Sequence, residues 1–176
     1  MSYRRVASYK SQADFEARLE ELGIELPLGD GSPAPLARPL ERGGLKIGNR
    51  FAVLPMEGWD GTTDGKPTDL TFRRWERFGR SGCKLIWGGE AVAVRPDGRA
   101  NPNQLVMLEQ NVADIAKLRE TLTAAHRNMM GDDKGLVVGL QLTHSGRYCK
   151  PTGKFTPEPQ VLYRHPVLDA RVGVAD

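Results

Sequence analysis

The sequence predicts an α/β fold built on a parallel sheet. Three short apolar runs are separated by two segments with helical periodicity, so strands and helices alternate along the chain. Each run is apolar almost without interruption, which is typical of strands that are covered on both faces. The strand–helix–strand order is typical of βαβ units and therefore of a parallel sheet.

Residues 1–44 are predicted to form a helix and an arm that precede the sheet. Ser11 is a candidate N-cap, and Gly23 ends the helical pattern. Three apolar side chains recur between them at spacings of four and three: Phe15, Leu19 and Leu22. Prolines and glycines crowd residues 27–39, which we interpret as an irregular linker.

The first strand is predicted over Arg50–Leu54. A hairpin leads into it, with Leu45–Ile47 as its other arm and Gly48-Asn49 as its turn. Pro55 ends this strand because proline has no N–H for the sheet ladder.

A helix is then predicted from Thr68 or Asp69 to about Arg80, followed by a second strand over Cys83–Trp87. Gly82 separates the two elements. Three aromatic side chains mark the buried face of the helix: Phe72, Trp75 and Phe78.

The clearest helix is predicted over Asn111–Met130, and the third strand over Gly135–Leu142. Five apolar side chains keep the helical period: Ile115, Leu118, Leu122, Ala125 and Met129. His126 lies within this helix, and we interpret it as a half-exposed residue. Residues 150–176 show no period and are predicted to be irregular.

Long polar loops follow the predicted strands, whereas short connections precede them. This asymmetry favours a TIM barrel, in which the loops after the strands build the active site. A doubly wound sheet has the same asymmetry. Periodicity alone does not separate these two architectures.

Composition excludes several other classes of protein. Hydrophobic residues make up 39% and charged residues 27%, with a net charge of +3, as in an ordinary globular domain. No apolar run approaches the ~20 residues of a membrane span, and no signal-peptide pattern is present. The charges alternate in sign, so neither nucleic acid nor a membrane is predicted as a partner. Cys83 and Cys149 form no zinc or redox motif, and we interpret them as reduced thiols of a cytoplasmic protein.

The sequence lacks the P-loop, dinucleotide, metalloprotease and serine-hydrolase motifs, and no metal site is predicted. His165 precedes a proline and is interpreted as a loop residue. The first sheet helix carries four arginines, which we interpret as a solvated face rather than a phosphate site: Arg73, Arg74, Arg77 and Arg80.

Polar or small residues follow each apolar run, in Pro55-Met56-Glu57, Gly88–Ala91 and Gln141–Arg147. Because parallel strands align their carboxyl ends, we expect these segments to lie on one rim of the sheet. Gln141 offers a donor and an acceptor at one point, and Gly88-Gly89 would let a flat ligand approach the backbone. The residues equally allow Gln141 to cap local backbone and the glycines to serve turns.

Four segments resemble the old yellow enzyme family of FMN-dependent ene-reductases, in the order and spacing of that family. They are Asn49–Met56, Asp64–Thr68, Gly82–Arg99 and Gln141–Arg147. The resemblance implies a (β/α)8 TIM barrel that is incomplete, with its first three or so βα units in residues 45–149. Residues 150–176 would then be a loop segment that leads to the missing strands.

The resemblance also implies a function, because the family passes a hydride from NAD(P)H to FMN and then to an activated alkene. By position, six residues would contact the FMN: Leu54, Pro55, Met56, Glu57, Ala91 and Gln141. Trp59 would contact the substrate, where the family often has a tyrosine. The family usually has Thr or Cys in place of Glu57. An ionised carboxylate there would repel charge on reduced flavin and lower its potential, unless it points away from the ring.

A complete TIM barrel needs about 250 residues, whereas this chain has 176. The family's paired histidines, or His and Asn, would follow on a fourth strand, so no catalytic residue is assigned here. We therefore expect the N-terminal part of an oxidoreductase that is not competent alone. One alternative is a non-catalytic fragment or subunit completed by a second chain or a homo-oligomer. Another is an aldolase or isomerase barrel, for which Lys84 lies at the wrong end of its strand.

Overall fold

The computed structural model describes residues 4–29 and 31–174. The chain forms two units, Met1–Pro33 and Ala34–Asp176. The division into residues 1–44, 45–149 and 150–176 that the sequence suggests stays a prediction. None of the helices in the described ranges has both the length and the apolar composition required to cross a bilayer.

The first unit contains a short 3₁₀ turn, Val6–Ser8, and helix α1, Gln12–Glu21. The Ser11 side chain accepts a hydrogen bond from the Asp14 N–H at 3.1 Å, as an N-cap does. Gly23 follows the helix with a φ of 64°. The predicted helix and its cap are confirmed.

The second unit begins with helix α2, Ala34–Ala37, inside the segment that the sequence analysis interpreted as irregular. That interpretation is wrong for these four residues. Pro35 lies in the first turn of the helix, where its missing N–H leaves no intrahelical hydrogen bond unmade.

The hairpin before the sheet consists of β1, Leu40–Arg42, and β2, Leu45–Ile47, which pair in antiparallel orientation. Its turn is Gly43-Gly44, with φ values of 57° and 80°. The predicted turn at Gly48-Asn49 is therefore wrong. A two-residue hairpin loop favours positive φ at both positions, and two glycines adopt it without strain.

The sheet contains three parallel strands in the order β3, Ala52–Val53; β4, Leu85–Ala93; and β5, Val137–Thr143. The predicted parallel order is confirmed. The first strand is shorter than predicted, and Phe51 and Leu54 beside it are exposed. The expectation that this run is buried on both faces is therefore wrong.

Two long helices, α3 (Asp69–Arg80) and α4 (Val112–Met130), pack on each other and help to cover the sheet. Both helices confirm their predicted spans to within one residue. Met129 is 61% exposed, so its predicted inward position is wrong. The core cluster joins both helices to β4 and to one loop residue: Trp75, Ile86, Val92, Leu105, Ile115, Leu118 and Leu122.

Gly79 is the point of closest approach between the two helices. A Cβ at this position would overlap the backbone oxygen of Leu122 and lie 3.0 Å from the Ala125 Cβ. A backbone oxygen cannot rotate away from the added Cβ as a side chain could. The steric cost of the overlap therefore exceeds the ~1 kcal/mol by which alanine favours a helix over glycine. We expect Gly79→Ala to lower the free energy of unfolding by about 1–3 kcal/mol in urea titrations. Arg73→Ala, on the exposed face of α3, is the control, and equal losses in the two variants would contradict this packing.

The tail contains a helix that the sequence analysis missed, α5, Pro166–Val172. His165 is its N-cap, since the ring Nδ1 accepts a hydrogen bond from the Leu168 N–H at 3.2 Å. Gly173 ends the helix with a φ of 74°. Seven residues are too few to display a period, so the proline and glycine at the two ends were the available signals.

An ion pair fastens α5 to the loop after β5. Arg147 Nε lies 2.9 Å from Asp169 Oδ1, and the His165 N–H donates to Asp169 Oδ2 at 2.8 Å. The His165 hydrogen bond, followed by the Arg147 charge, holds the pKa of Asp169 below its ordinary value. The ionised form therefore stabilises the folded tail, and this contribution is lost as the pH falls through the lowered pKa.

We expect the amide protection of residues 166–172, measured by NMR hydrogen exchange, to be lower at pH 3 than at pH 6. Asp169→Asn removes the titrating group, so its protection at pH 6 is expected to be low already. A wild-type tail whose protection factors are the same at both pH values would contradict this role of Asp169.

Candidate functional site

The carboxyl ends of the three strands lie along one rim of the sheet. Ala91 on β4 pairs with Gln141 on β5. The segment after β3 reaches the same place, because the Gly58 N–H donates to Glu90 Oε1 at 2.8 Å. The structure therefore brings the segments that follow the three apolar runs together, as parallel strands require.

The predicted site residues differ in their exposure at this rim. Leu54 and Met56 are 72% and 74% exposed, whereas Ala91 is 4% exposed. Pro55 and Glu57 are partly exposed. The exposed Gln141 side chain hydrogen-bonds no other residue in the described part of the chain, so it does not cap local backbone. The rim thus presents apolar side chains and one free amide to solvent.

Glu57 and Trp59 contact each other. The Trp59 indole N–H donates to Glu57 Oε2 at 2.7 Å, and the Trp59 side chain is half-exposed. Trp59 also has a φ of 51°, the one positive value among the described residues other than glycine. Positive φ is strained for an aromatic residue and persists where the surrounding contacts enforce it.

Gly88 and Gly89 belong to an irregularity in β4. Trp87 pairs with Gly139 and Ala91 with Gln141, so β4 carries two more residues than β5 over this stretch. Gly88 has a φ of 56°, and a Cβ there would lie 2.7 Å from the backbone nitrogen of Gln141. Both glycines are buried, and the bulge depends on the positive φ of Gly88. Their role in the approach of a flat ligand stays a prediction.

A buried ion cluster lies beneath the rim, and the sequence analysis missed it. Arg74 donates from Nη2 and Nε to the two Asp60 oxygens, at 2.9 and 3.2 Å, and from Nη1 to the Gly89 oxygen at 3.0 Å. Its Nη2 also pairs with Glu90 Oε2. The interpretation of the four arginines as a solvated face holds for the exposed residues Arg73, Arg77 and Arg80 but is wrong for Arg74.

Glu90 is the least exposed member of this cluster, with 1% of its surface accessible. Burial raises its pKa above the ordinary glutamate value, although the Arg74 charge opposes that shift. A carboxylate within an otherwise apolar strand was the available signal, since such a group needs a buried cation or hydrogen-bond donors.

Gln104 is a buried residue that hydrogen-bonds the strands at the rim. Its buried side-chain amide donates to the Ala91 oxygen at 2.9 Å and to Thr143 Oγ1 at 3.0 Å. It also accepts from the Ala100 N–H at 2.8 Å. This amide therefore bridges β4 and β5 beside the Ala91–Gln141 pair, and no local pattern distinguishes it from the other polar loop residues.

His126 is fully buried, so the prediction of a half-exposed residue is wrong. Its Nδ1 lies 2.9 Å from the Gly79 oxygen, and its Nε2 lies 2.9 Å from Lys84 Nζ. A carbonyl can only accept, so Nδ1 carries the proton and Nε2 accepts from the lysine. Lys84 precedes β4 at the end away from the rim, so it is wrongly placed for the aldolase alternative, as the sequence predicted.

No protein-family model matches the chain, and no curated protein matches it. Solved structures do match. The old yellow enzyme from Trypanosoma cruzi is 24% identical over 67% of this chain and 29% of its own, with a TM-score of 0.53. Morphinone reductase in complex with tetrahydroNAD is 25% identical over 65% of this chain and 28% of its own, with a TM-score of 0.51.

A 2-naphthoyl-CoA reductase in complex with 2-naphthoyl-CoA is 18% identical over 68% of this chain and 17% of its own, with a TM-score of 0.56. The chain therefore spans less than a third of the length of each of these structures. The predicted resemblance to the N-terminal part of old yellow enzymes is confirmed at the level of fold. The α/β class is confirmed too, and the open sheet is compatible with an incomplete barrel.

Proposed function

We propose that this chain is the N-terminal, flavin-facing part of an FMN-dependent oxidoreductase of the old yellow enzyme type. In that function the substrate is an activated alkene and the reductant is NAD(P)H. The observation that supports the proposal is that Ala91 and Gln141 pair at one rim, which the segment after Met56 reaches through Gly58, in a fold shared with old yellow enzymes. A cytoplasmic location belongs to the same proposal and is supported by the free thiols of Cys83 and Cys149.

The rim residues fit the chemistry of an isoalloxazine ring. Such a ring has a pyrimidine edge of alternating carbonyl and N–H groups and an apolar edge opposite. The free Gln141 amide can pair with the first, and the exposed side chains of Leu54 and Met56 can cover apolar ring surface. FMN, when bound, would supply the hydride acceptor and donor that these side chains lack. Pro55, Glu57 and Ala91 would complete the contact, and Trp59 would face the substrate.

The experiment is a titration of the chain with FMN, followed by quenching of flavin fluorescence. We expect weak binding, because a rim of three strands covers one part of the ring. Gln141→Leu is expected to weaken that binding about tenfold, since it removes a hydrogen bond to a polar edge. Gln110→Leu, at an exposed glutamine before α4, is the matched control. Equal affinities for the wild type and Gln141→Leu would contradict the role of the amide.

Glu57 is expected to lower the reduction potential of bound flavin. Its carboxylate is oriented by the Trp59 indole and adds negative charge to the rim. Glu57→Thr should raise the potential on the order of 30 mV, or about 1.4 kcal/mol for a two-electron couple. Spectroelectrochemical titration of the FMN-loaded protein measures this shift. Glu57→Gln, which keeps the shape and removes the charge, should raise it too, and no shift in either variant would remove the claim.

The second candidate is a non-catalytic subunit that needs a second chain or a second copy. Within the described residues, β3 and β5 form the open edges of the sheet, and open apolar edges favour association. An apolar groove of about 360 Å³ lies beside β5, lined by Trp75, Ile115, Val138 and Leu140 among others. Sedimentation velocity over a range of concentrations separates the candidates. Association without FMN binding favours the subunit, whereas FMN binding by a monomer favours the enzyme.

A further inference from the structure

We propose that Arg74 is a positioning residue, which holds the Gly58–Asp60 segment in place through Glu90 and Asp60 and so fixes the orientation of Trp59. The part of this inference that concerns substrate rests on the proposed function, in which Trp59 faces the substrate. The part that concerns backbone position rests on contacts within this chain alone.

The Arg74 guanidinium holds one end of the segment directly and the other end through Glu90. On one side it binds both oxygens of Asp60, and on the other it pairs with Glu90. Glu90 completes the link, because its second oxygen accepts the Gly58 N–H at 2.8 Å. Trp59 lies between these two anchors. Its backbone is therefore held at Gly58 and at Asp60 by groups that converge on one side chain.

The Arg74 guanidinium lies close against the backbone of the segment. A Cβ on Gly58 would overlap Arg74 Nη2, so the guanidinium reaches its present position because residue 58 is glycine. Asp60 has further partners at the start of α3, since Thr71 Oγ1 donates to its Oδ1 at 2.9 Å and the N-cap Thr68 Oγ1 donates to its backbone oxygen at 2.5 Å. The anchors at both ends of Trp59 are thus built into the helix and the strand.

The strain at Trp59 requires such anchors. A φ of 51° is unfavourable for a residue with a bulky side chain, and a free loop would relax from it. In this conformation the indole N–H reaches Glu57 Oε2. If the anchors were released, Trp59 would return to negative φ, and the indole would leave Glu57. The orientation of two proposed site residues therefore depends on a side chain that forms no hydrogen bond or ion pair with either of them.

Arginine is needed here for its shape as well as its charge. The planar guanidinium donates in several fixed directions at once, whereas a lysine ammonium is a compact charge at the end of a flexible stem. Arg74→Lys keeps the charge beside both carboxylates but cannot reach all four acceptors in the same geometry. This substitution separates the positioning role from simple charge neutralisation.

The experiment is NMR of the full ¹⁵N-labelled chain, as wild type, Arg74→Lys and the control Arg73→Lys on the exposed face of α3. We expect the Gly58 amide to exchange with solvent about tenfold faster in Arg74→Lys. We also expect the Trp59 indole resonance to move toward its position in an unstructured peptide. Arg73→Lys should leave both signals unchanged. Unchanged Gly58 exchange and an unchanged Trp59 indole in a folded Arg74→Lys would overturn the inference.

The wild type supplies a second test if Arg74→Lys does not fold. Its Gly58 amide should exchange much more slowly than that of Gly44, an exposed turn glycine, and equal rates would overturn the inference. FMN titration of the same samples separates this inference from the proposed function. If Arg74→Lys shows the expected changes at Gly58 and Trp59 but the wild type does not bind FMN, the proposed function is refuted and the positioning role stands. FMN binding that accompanies unchanged NMR signals in Arg74→Lys would refute the positioning role alone.

Discussion

Arg74→Met is expected to lower the free energy of unfolding by about 3 kcal/mol at pH 7, the lower end of the range for breaking a buried ion pair. The substitution keeps the aliphatic stem of Arg74 but leaves Glu90 and Asp60 as neighbouring carboxylates without their shared cation. We expect a loss at the lower end of that range because the side chains of Arg74 and Asp60 are 23% and 17% exposed to solvent. Water therefore reaches part of the cluster and reduces the penalty.

The loss should depend on pH in a defined direction. Burial already raises the pKa of Glu90 in the folded wild type. In the wild type the Arg74 charge opposes this rise, so its removal raises the pKa of Glu90 further. The folded variant therefore binds a proton at Glu90 more readily than the unfolded chain does. The stability of the variant then increases as the pH falls. Urea titrations at pH 7 and pH 5 should show a smaller difference between variant and wild type at pH 5, and equal losses at both would contradict the ion cluster.

His126→Leu is expected to cost a similar amount, about 3 kcal/mol. Leucine fills much of the same space but makes neither hydrogen bond, so the Gly79 oxygen and the Lys84 ammonium both lose a partner. One of these bonds joins α4 to the end of α3, and the other joins α4 to the residue before β4. Their loss therefore weakens the packing of α4 against both elements.

The measurement is the unfolding midpoint in urea, with Asn128→Leu on the exposed side of α4 as the control. Both variants exchange a polar residue for leucine two positions apart on the same helix. We expect the control to change the free energy of unfolding by about 0.5 kcal/mol or less, as for an ordinary surface substitution. Equal losses in the two variants would show that His126 has no special role in joining the elements.

Local signals allowed three helices, α1, α3 and α4, to be predicted from the sequence. Ser11 caps α1, the apolar period runs the length of α4, and Gly131 follows it with a φ of 88°. These are interactions between residues a few positions apart, which a sequence displays directly. The alignment of Ala91 with Gln141 was predictable for a different reason, since parallel strands in sequence order place their carboxyl ends together.

The buried polar residues and the bulge were missed because they depend on contacts between distant residues. Arg74 shares its helix with three exposed arginines, and its burial is decided by Asp60 and Glu90 from two other segments. His126 is buried by a carbonyl on α3 and a lysine before β4, so its helical position alone did not reveal its partners. The bulge at Gly88 likewise follows from the register against β5, which a pattern of glycines does not specify.

The rim of Met56, Ala91 and Gln141 is tested most directly by titrating the ¹⁵N-labelled chain with FMN and following backbone amides by NMR. Weak binding suffices, because fast exchange moves the signals of contacted residues in proportion to occupancy. We expect the largest shifts at residues 54, 56, 57, 91 and 141, with small shifts on α4. Shifts that are largest elsewhere, or none at the rim in millimolar FMN, would contradict a flavin site at the strand ends.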